Sequence, residues 1–128
     1  MTKLIIDATS SEVFFMIITS NNNYNISYEN SKKNYEKLTI LLNDFLMSKN
    51  LNFKKICKIY VNRGPGSFAG IRNSLSITKA LFLTNKIDYY CYSFEDFSEK
   101  NEVKYENIPK LCDKFKVEKN LINPIYLS

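Results

Sequence analysis

The chain has 128 residues, which is enough for one domain around one hydrophobic core. It contains no histidine, so Ser-His-Asp and Cys-His catalysis and a histidine-bound zinc are excluded within the chain. Its net charge is +5, and its longest uninterrupted apolar run, residues 13–18, is too short to span a membrane. We therefore expect a cytoplasmic protein with no signal peptide and no membrane partner.

Three short strands are predicted in the first thirty residues. Residues 3–7 form a buried apolar run that ends in a carboxylate, and residues 13–19 are β-branched and aromatic. Residues 24–28 alternate polar and apolar side chains with the period of a half-buried strand. Residues 21–23 supply a polar turn. The short links between these runs predict an antiparallel meander.

Helices and strands alternate in the next part of the chain. Apolar residues recur at helical spacing over residues 34–50 and again over residues 70–85. Strands are predicted at Ile56–Asn62 and Asp88–Tyr92. Because strand-helix-strand crossovers are right-handed, these last strands should be parallel. The fold class is therefore α/β, a mixed five-stranded sheet of order β-β-β-α-β-α-β flanked by helices, as in one ribonuclease H-like half.

The last third of the chain has weaker patterns. Ser93 should cap a helix start, with Asp96 in the capping-box position. A polar linker follows, and residues 110–119 predict one short helix. We therefore divide the chain into a ribonuclease H-like N-terminal subdomain, residues 1–97, and a linker, short helix and C-terminal tail, residues 98–128.

Cysteines and lysines carry little functional information. Cys57, Cys91 and Cys112 are odd in number and far apart, which is typical of reduced thiols. All but two of the 18 basic residues are lysines, spread along the chain. A solvated lysine-rich surface is the favoured interpretation, and a module that binds nucleic acid directly is an alternative.

The glycines and arginines of the chain are concentrated at one strand-to-helix junction. Gly64, Gly66 and Gly70 lie within seven residues, bracketed by Arg63 and Arg72. Glycine is needed where φ is positive or where another group approaches the backbone closely. The junction is therefore either a tight turn that caps the next helix or an anion site at a helix N-terminus.

Known phosphate-binding fingerprints fit this junction poorly. The Walker pattern is missing, and the loose dinucleotide pattern at Gly64, Gly66 and Ala69 contains Pro65, which lacks an amide. Asp88 stands at the beginning of the next strand, where it cannot bind a ribose at the strand's end. A minimal nucleotide-binding phosphotransferase or ATPase stays open as the alternative function.

The same segment closely resembles the signature of the TsaB (YeaZ) family, G-R-G-P-G-S-F-T-G-[VI]-R. Here it reads VNRGPGSFAGIR over residues 61–72, and the opening IDATS and the ending PIYL are similar to the family's I-D-T-S and P-x-Y-L. The order and position of the three motifs strengthen the match. The signature loop comprises Arg63, Gly64, Pro65, Gly66, Ser67, Phe68, Gly70 and Arg72.

The resemblance implies a fold, a function and partners. TsaB proteins have the actin-like ATPase fold, lack catalytic activity, pair with the related subunit TsaD and recruit the ATPase TsaE. The assembly transfers a threonylcarbamoyl group to the adenosine beside the anticodon. We therefore expect a non-catalytic scaffold that reaches tRNA indirectly. The isolated chain should bind no cofactor, and ATP or ADP with Mg²⁺ would bind only at the interface of the complex.

In the TsaB family two helices form the surface that pairs with TsaD, and they match residues 34–50 and 70–85 here. The second helix has apolar residues on more than one side, so one side should cover the sheet and another should bind a partner. A helix buried twice within its own domain is the alternative, and a homodimer stays open. The predicted interface residues are Leu38, Leu42, Ser74, Ile77, Thr78 and Leu81.

The chain departs from the TsaB pattern in several places. Only about thirty residues separate the first half from the terminal motif, which suggests an internal loss of most of the second subdomain. The turn after the first strand, residues 8–11, lacks glycine, and Asn34 and Tyr35 replace a frequent His-Ser pair. Asp7 could bind Mg²⁺ or cap its own turn, and with half the cleft missing we favour the cap. Arg63 and Arg72 are candidates for contacting a shared anion.

Overall fold

A computed structural model describes residues 1–98 and 103–126. Its centre is one five-stranded sheet with the strand order β3-β2-β1-β4-β5. The strands are β1 Thr2–Asp7, β2 Glu12–Ile18, β3 Asn23–Glu29, β4 Ile56–Asn62 and β5 Asp88–Tyr92. The pairs β1–β2 and β2–β3 are antiparallel, whereas β1–β4 and β4–β5 are parallel. The predicted mixed sheet is confirmed.

Four α-helices flank this sheet in the described part of the chain. They are α1 Lys32–Glu36, α2 Leu38–Ser48, α3 Phe68–Asn85 and α4 Ile108–Lys114. The prediction of one continuous helix over residues 34–50 was wrong, because the chain breaks at Lys37. The Ser31 side chain caps α1, and the Asn34 side chain donates to the Glu29 carbonyl at 2.7 Å. The first turn is therefore bound to the end of β3, while α2 packs separately over the core.

The two faces of the sheet are covered by different parts of the chain. Leu4 and Ile6 of β1 point to the face covered by α2 and α3, and they join the larger buried cluster. Ile5, between them, points to the other face, where it packs in a cluster with Ile108 and Cys112 of α4. This alternation is the expected period of a strand whose two faces are both buried.

The helix α3 begins two residues earlier than predicted. The Ser67 hydroxyl accepts a hydrogen bond from the Gly70 amide at 3.2 Å and caps the helix at Phe68. At its other end Lys86 adopts a left-handed conformation with φ of 55°, which stops the helix. The signature loop is thus joined directly to an 18-residue helix.

Residues 103–126 pack back onto the sheet. The helix α4 is shorter than the predicted 110–119, because the chain turns out of it at Phe115 and Lys116 has a positive φ of 54°. The tail then follows the free edge of β5, where the Asn120 amide donates to the Tyr89 carbonyl at 2.8 Å. Part of the predicted linker, residues 99–102, and the last two residues of the predicted tail lie outside the described residues.

No helix in residues 1–98 or 103–126 is long and apolar enough to cross a membrane.

Candidate functional site

The glycines of the signature loop allow close contact with the turn that follows β1. A Cβ on Gly66 would collide with the Thr9 carbonyl oxygen, and one on Gly70 would collide with the Ala8 carbonyl oxygen. The Ser67 amide donates to the same Thr9 carbonyl at 2.8 Å. The predicted need for close backbone approach is confirmed, and the approaching group is the chain's own backbone.

Gly64 joins the loop to the C-terminal tail. Its φ is +109°, which disfavours any side chain, and a Cβ there would collide with the Ile125 carbonyl oxygen. The Ile125 amide donates to the Arg63 carbonyl at 2.7 Å, and the Gly64 amide donates to the Asn62 side chain at 2.9 Å. We call this region the corner: residues 62–70, packed against the turn of residues 7–10 and the tail.

Arg63 is held entirely inside the corner. Its Nη2 donates to Asp96 Oδ1 at 2.6 Å, its Nε donates to Asp96 Oδ2 at 3.3 Å, and its Nη1 donates to the Asn123 carbonyl at 3.2 Å. Asp96 also accepts from the Ser93 amide at 2.8 Å, so the predicted capping box is confirmed in a single 3₁₀ turn. In this structure the Arg63 guanidinium is bound by Asp96, and the contact of Arg63 and Arg72 with a shared anion at an interface stays a prediction.

Asp7 has four hydrogen-bond donors around its carboxylate. Oδ1 accepts from the Thr9 amide at 3.0 Å and from the Thr9 hydroxyl at 2.7 Å. Oδ2 accepts from the Asn62 side chain at 3.0 Å and from the Tyr105 hydroxyl at 2.7 Å. Only 4% of Asp7 is exposed. Asp7 therefore caps its own turn, and the described residues contain no group of three carboxylates or thiols suited to a metal.

Tyr105 closes the space beside Asp7, although the sequence placed it in a polar linker. Its ring stacks on Phe14 with centroids 4.2 Å apart. Burial, and next the Asp7 charge, raise the pKa of Tyr105, so its hydroxyl stays protonated as a donor. The only sequence signal for this role was an aromatic residue in an otherwise charged segment.

The cysteines have the character expected of reduced core thiols. All three are free. Burial raises the pKa of the Cys91 thiol to about 12 and that of the Cys112 thiol to about 12. A nucleophilic role at neutral pH is disfavoured for these two thiols, because the reactive form is the thiolate.

Most of the predicted interface residues face the chain's own core. Ile77 alone among them is half-buried, and the other five are at most 7% exposed. The buried five are Leu38, Leu42, Ser74, Thr78 and Leu81. The hydroxyl of Ser74 donates to Ile71 O and that of Thr78 donates to Ser74 O, so these polar groups need no partner. The prediction that these six residues form an exposed interface therefore requires correction, because five of them are buried in the chain's own domain.

The opposite side of α3 faces solvent. Phe68 is 56% exposed and Leu83 is 66% exposed, which is unusual for large apolar side chains in a helix that covers a core. The Arg72 guanidinium makes no hydrogen bond or ion pair with any residue in the described ranges. We define the outward face of α3 by its solvent-facing residues: Phe68, Arg72, Ser76, Lys79, Ala80 and Leu83.

Two depressions meet on this outward face. A groove of about 610 Å³ lies between α3 and the tail, with Ile122, Pro124 and Tyr126 on the tail side. A second depression of about 470 Å³ lies between α3 and α1, and the two share Arg72 and Ser76. The surface suits the docking of another protein better than the enclosure of a small molecule, because it is open and rimmed by apolar side chains.

Comparison with known families gives one match. Residues 19–93, more than half of the chain, match the family model described as TsaD: tRNA N6-adenosine threonylcarbamoyltransferase. The matched range contains β3, both helices that cover the core, the signature loop and β5. A comparison with curated proteins finds no match.

Two solved structures share the fold. One is described as YeaZ from Pseudomonas aeruginosa, and the other as an uncharacterized protein with similarity to peptidase YEAZ from Pseudomonas aeruginosa. Each is 17% identical to this chain, with a TM-score of 0.66 over 72% of this chain. At 17% identity, the structural similarity shows that this chain shares the fold of these proteins. The chain spans only 43% of the length of each of these structures.

Proposed function

Since the chain belongs to the family described as TsaD, tRNA N6-adenosine threonylcarbamoyltransferase, we propose that it is a non-catalytic subunit that binds a TsaD-like protein. The family is related to tRNA modification, and the fold is that of YeaZ. The resemblance to the TsaB (YeaZ) family is thus confirmed for family and fold. In the proposed function the subunit supports threonylcarbamoyl transfer to the adenosine beside the anticodon.

The exposed apolar side chains on α3 are the observation that carries this proposal. Phe68 and Leu83 are more than half exposed although they belong to the helix that covers the sheet. Each square ångström of apolar surface removed from water stabilises a complex by roughly 25 cal/mol before the costs of association. A protein partner that covers this outward face would gain that stabilisation.

The state of the corner supports the non-catalytic part of the proposal. In open α/β sheets ligands bind beyond the carboxyl ends of the strands. At those ends Asp7 already accepts from Asn62 and from Tyr105, and Arg63 already donates to Asp96. We propose that the isolated chain binds no nucleotide and that ATP or ADP with Mg²⁺ binds only where the partner completes a site. A TsaE-like ATPase and tRNA would then be reached through the complex.

The rival function, a minimal phosphotransferase, needs free amides in the signature loop. The amides of Gly64 and Ser67 donate to Asn62 and Thr9, and the Gly70 amide donates to the Ser67 hydroxyl. Calorimetric titration of the isolated chain with ATP and Mg²⁺ distinguishes the two functions. We expect no binding at millimolar nucleotide, and saturable binding would support the phosphotransferase instead.

The proposed function is tested by mixing the chain with the TsaD-like subunit encoded in the same genome. Size-exclusion chromatography with light scattering should show a heterodimer. The variant Leu83→Glu should lose the complex, whereas Asn107→Glu, which adds the same charge at the start of α4 across the sheet, should keep it. Absence of any complex with the wild-type chain would refute the proposal.

A second assay addresses the modification itself. Purified TsaD-like and TsaE-like proteins, with tRNA and the activated threonylcarbamoyl donor, should modify tRNA faster when this chain is present. The Leu83→Glu variant should give the same low rate as omission of the chain. Equal rates with and without the wild-type chain would count against a supporting role.

A further inference from the structure

We infer that the outward face of α3 and the C-terminal tail form one groove that receives a helix of the partner carrying an Asp or Glu opposite Arg72. The inference rests on the proposed function and identifies the chemistry of the partner surface. It also assigns a direct part in binding to residues 122–126, which lie outside the helices predicted to pair with TsaD.

The charges of the groove determine the sign of the partner's charge. Arg72 and Lys79 are the charged residues among the described residues that line it, and no carboxylate lines it. The Arg72 side chain has no partner in the described residues, whereas that of Arg63, nine residues earlier, is bonded to Asp96 and to the Asn123 carbonyl. A carboxylate brought to Arg72 would form a charge-assisted hydrogen bond, which the docked partner would cover.

The outward residues of α3 have a helix-packing pattern. Arg72, Ser76, Ala80 and Leu83 are spaced three or four residues apart, so they form one ridge along the helix. Ser76 and Ala80, in the middle of this ridge, are small and allow the backbone of another helix to come close. From residue 72 to residue 83 the ridge is about 17 Å long, which matches about three turns of a partner helix.

The opposite wall of the groove is held in place before any partner binds. The Ile125 amide is bonded to the Arg63 carbonyl, and the Arg63 side chain is bonded to the Asn123 carbonyl. The Tyr126 ring packs on Phe68 with centroids 4.7 Å apart. Because this wall is preorganised, little conformational entropy is lost when a helix enters the groove.

A second copy of the chain fits this groove less well than a different protein does. A second copy would bring the same groove, whose lining supplies Arg72 and Lys79 but no carboxylate. The nearest acid on the adjoining depression, Glu36, lies 4.0 Å from Lys32. Charge complementarity therefore favours the TsaD-like subunit as the occupant, through a helix with an apolar ridge and an acidic residue.

The affinity of the TsaD-like subunit for matched variants of this chain tests whether Arg72 meets an acidic residue of the partner. We expect Arg72→Met to raise Kd about tenfold and to flatten the dependence of Kd on KCl concentration. The control Lys54→Met removes the same charge at the opposite end of β4 and should leave Kd unchanged. If Arg72→Met binds like the wild type, the inference is overturned while the proposed function stands. If the wild-type chain does not bind, the proposed function itself fails.

The roles of the tail and of the partner's helix are tested in the same complex. Tyr126→Ser should also raise Kd about tenfold, since it removes the ring that packs on Phe68. Hydrogen exchange of the TsaD-like subunit should slow along one helix that contains an Asp or Glu. Protection in loops only, unchanged binding by Tyr126→Ser, or a wild-type homodimer that Leu83→Glu dissociates would each overturn the inference.

Discussion

The corner and the outward face of α3 lie close together in sequence but use their side chains in opposite ways. In the corner the Asp7 carboxylate and the Arg63 guanidinium are bonded within the chain. On the outward face the Arg72 guanidinium has no bonding partner in the described residues, and Leu83 is 66% exposed. The first part of the signature therefore maintains the fold, whereas Phe68 and Arg72 of the same signature lie on the helix surface that is available for binding.

The largest expected effect on stability is a difference between substitutions on the buried side and on the outward face of α3. Leu81 is 7% exposed and lies in the core cluster, so Leu81→Glu should lower the free energy of unfolding by about 3 to 5 kcal/mol. Leu83→Glu should change it by less than about 0.5 kcal/mol. Urea denaturation followed by circular dichroism measures both values. Equal destabilisation by the two variants would contradict the assignment of Leu81 to the buried side and Leu83 to the outward face.

Next in size is a substitution at the base of the corner. Gly66→Ala places a methyl group against the Thr9 carbonyl and should cost about 2 kcal/mol, because backbone on both sides must move. Ser11→Ala, an exposed change in the adjacent turn, is the control and should cost little. The same urea titrations measure the difference. A stable Gly66→Ala variant would show that the close contact is not required.

Removal of the hydrogen bond from Tyr105 to Asp7 should have a smaller effect on stability. Tyr105→Phe removes the donor to Asp7 Oδ2 and should cost about 1.5 kcal/mol, the value for a bond to a charged group. Because burial and the Asp7 charge raise the pKa of Tyr105 above its usual 10.0, stability due to this group is complete below about pH 10 and falls at higher pH.

Alkaline titration of stability therefore supplies a second readout for Tyr105. The urea midpoint of the wild-type chain should fall above about pH 10, and the fall should be smaller in Tyr105→Phe. It should not vanish, since burial also raises the pKa of Tyr60 and Tyr92. Identical alkaline profiles for the two proteins would argue against the bond to Asp7.

The smallest effect concerns the ion pair of the corner. A double-mutant cycle with Arg63→Met and Asp96→Asn should give a coupling energy of about 1 kcal/mol, as expected for a partly buried pair. The equivalent cycle with the exposed pair Lys32 and Glu36 should give less. A coupling near zero at Arg63 would mean that its guanidinium is free, as that of Arg72 is in the described structure.

Sequence patterns located the sheet well because strand formation depends on local alternation and turns. The bounds of β4 and β5 were predicted to the residue, and clustered glycines identified the corner. The break at Lys37 was missed because a side chain from one helix turn bonds the end of β3, a contact between elements. Tyr105 was missed for the same reason, since its partner Asp7 lies 98 residues away.

The orientation of α3 was the other feature that the sequence could not determine. Apolar residues lie on several sides of this helix, so periodicity alone did not separate Leu81, which is buried, from Leu83, which is exposed. Packing against the sheet decides it, because Leu81 joins the core cluster while Leu83 lines the groove beside the tail. Predicting that arrangement requires long-range contacts.

The affinity of the Leu83→Glu variant for the TsaD-like subunit tests the central claim most directly. Calorimetry should show binding by the wild-type chain and at least tenfold weaker binding by Leu83→Glu, although the variant unfolds at the same urea concentration. An unchanged Kd in the folded variant would contradict the account, because the outward face of α3 would then be exposed without binding the partner.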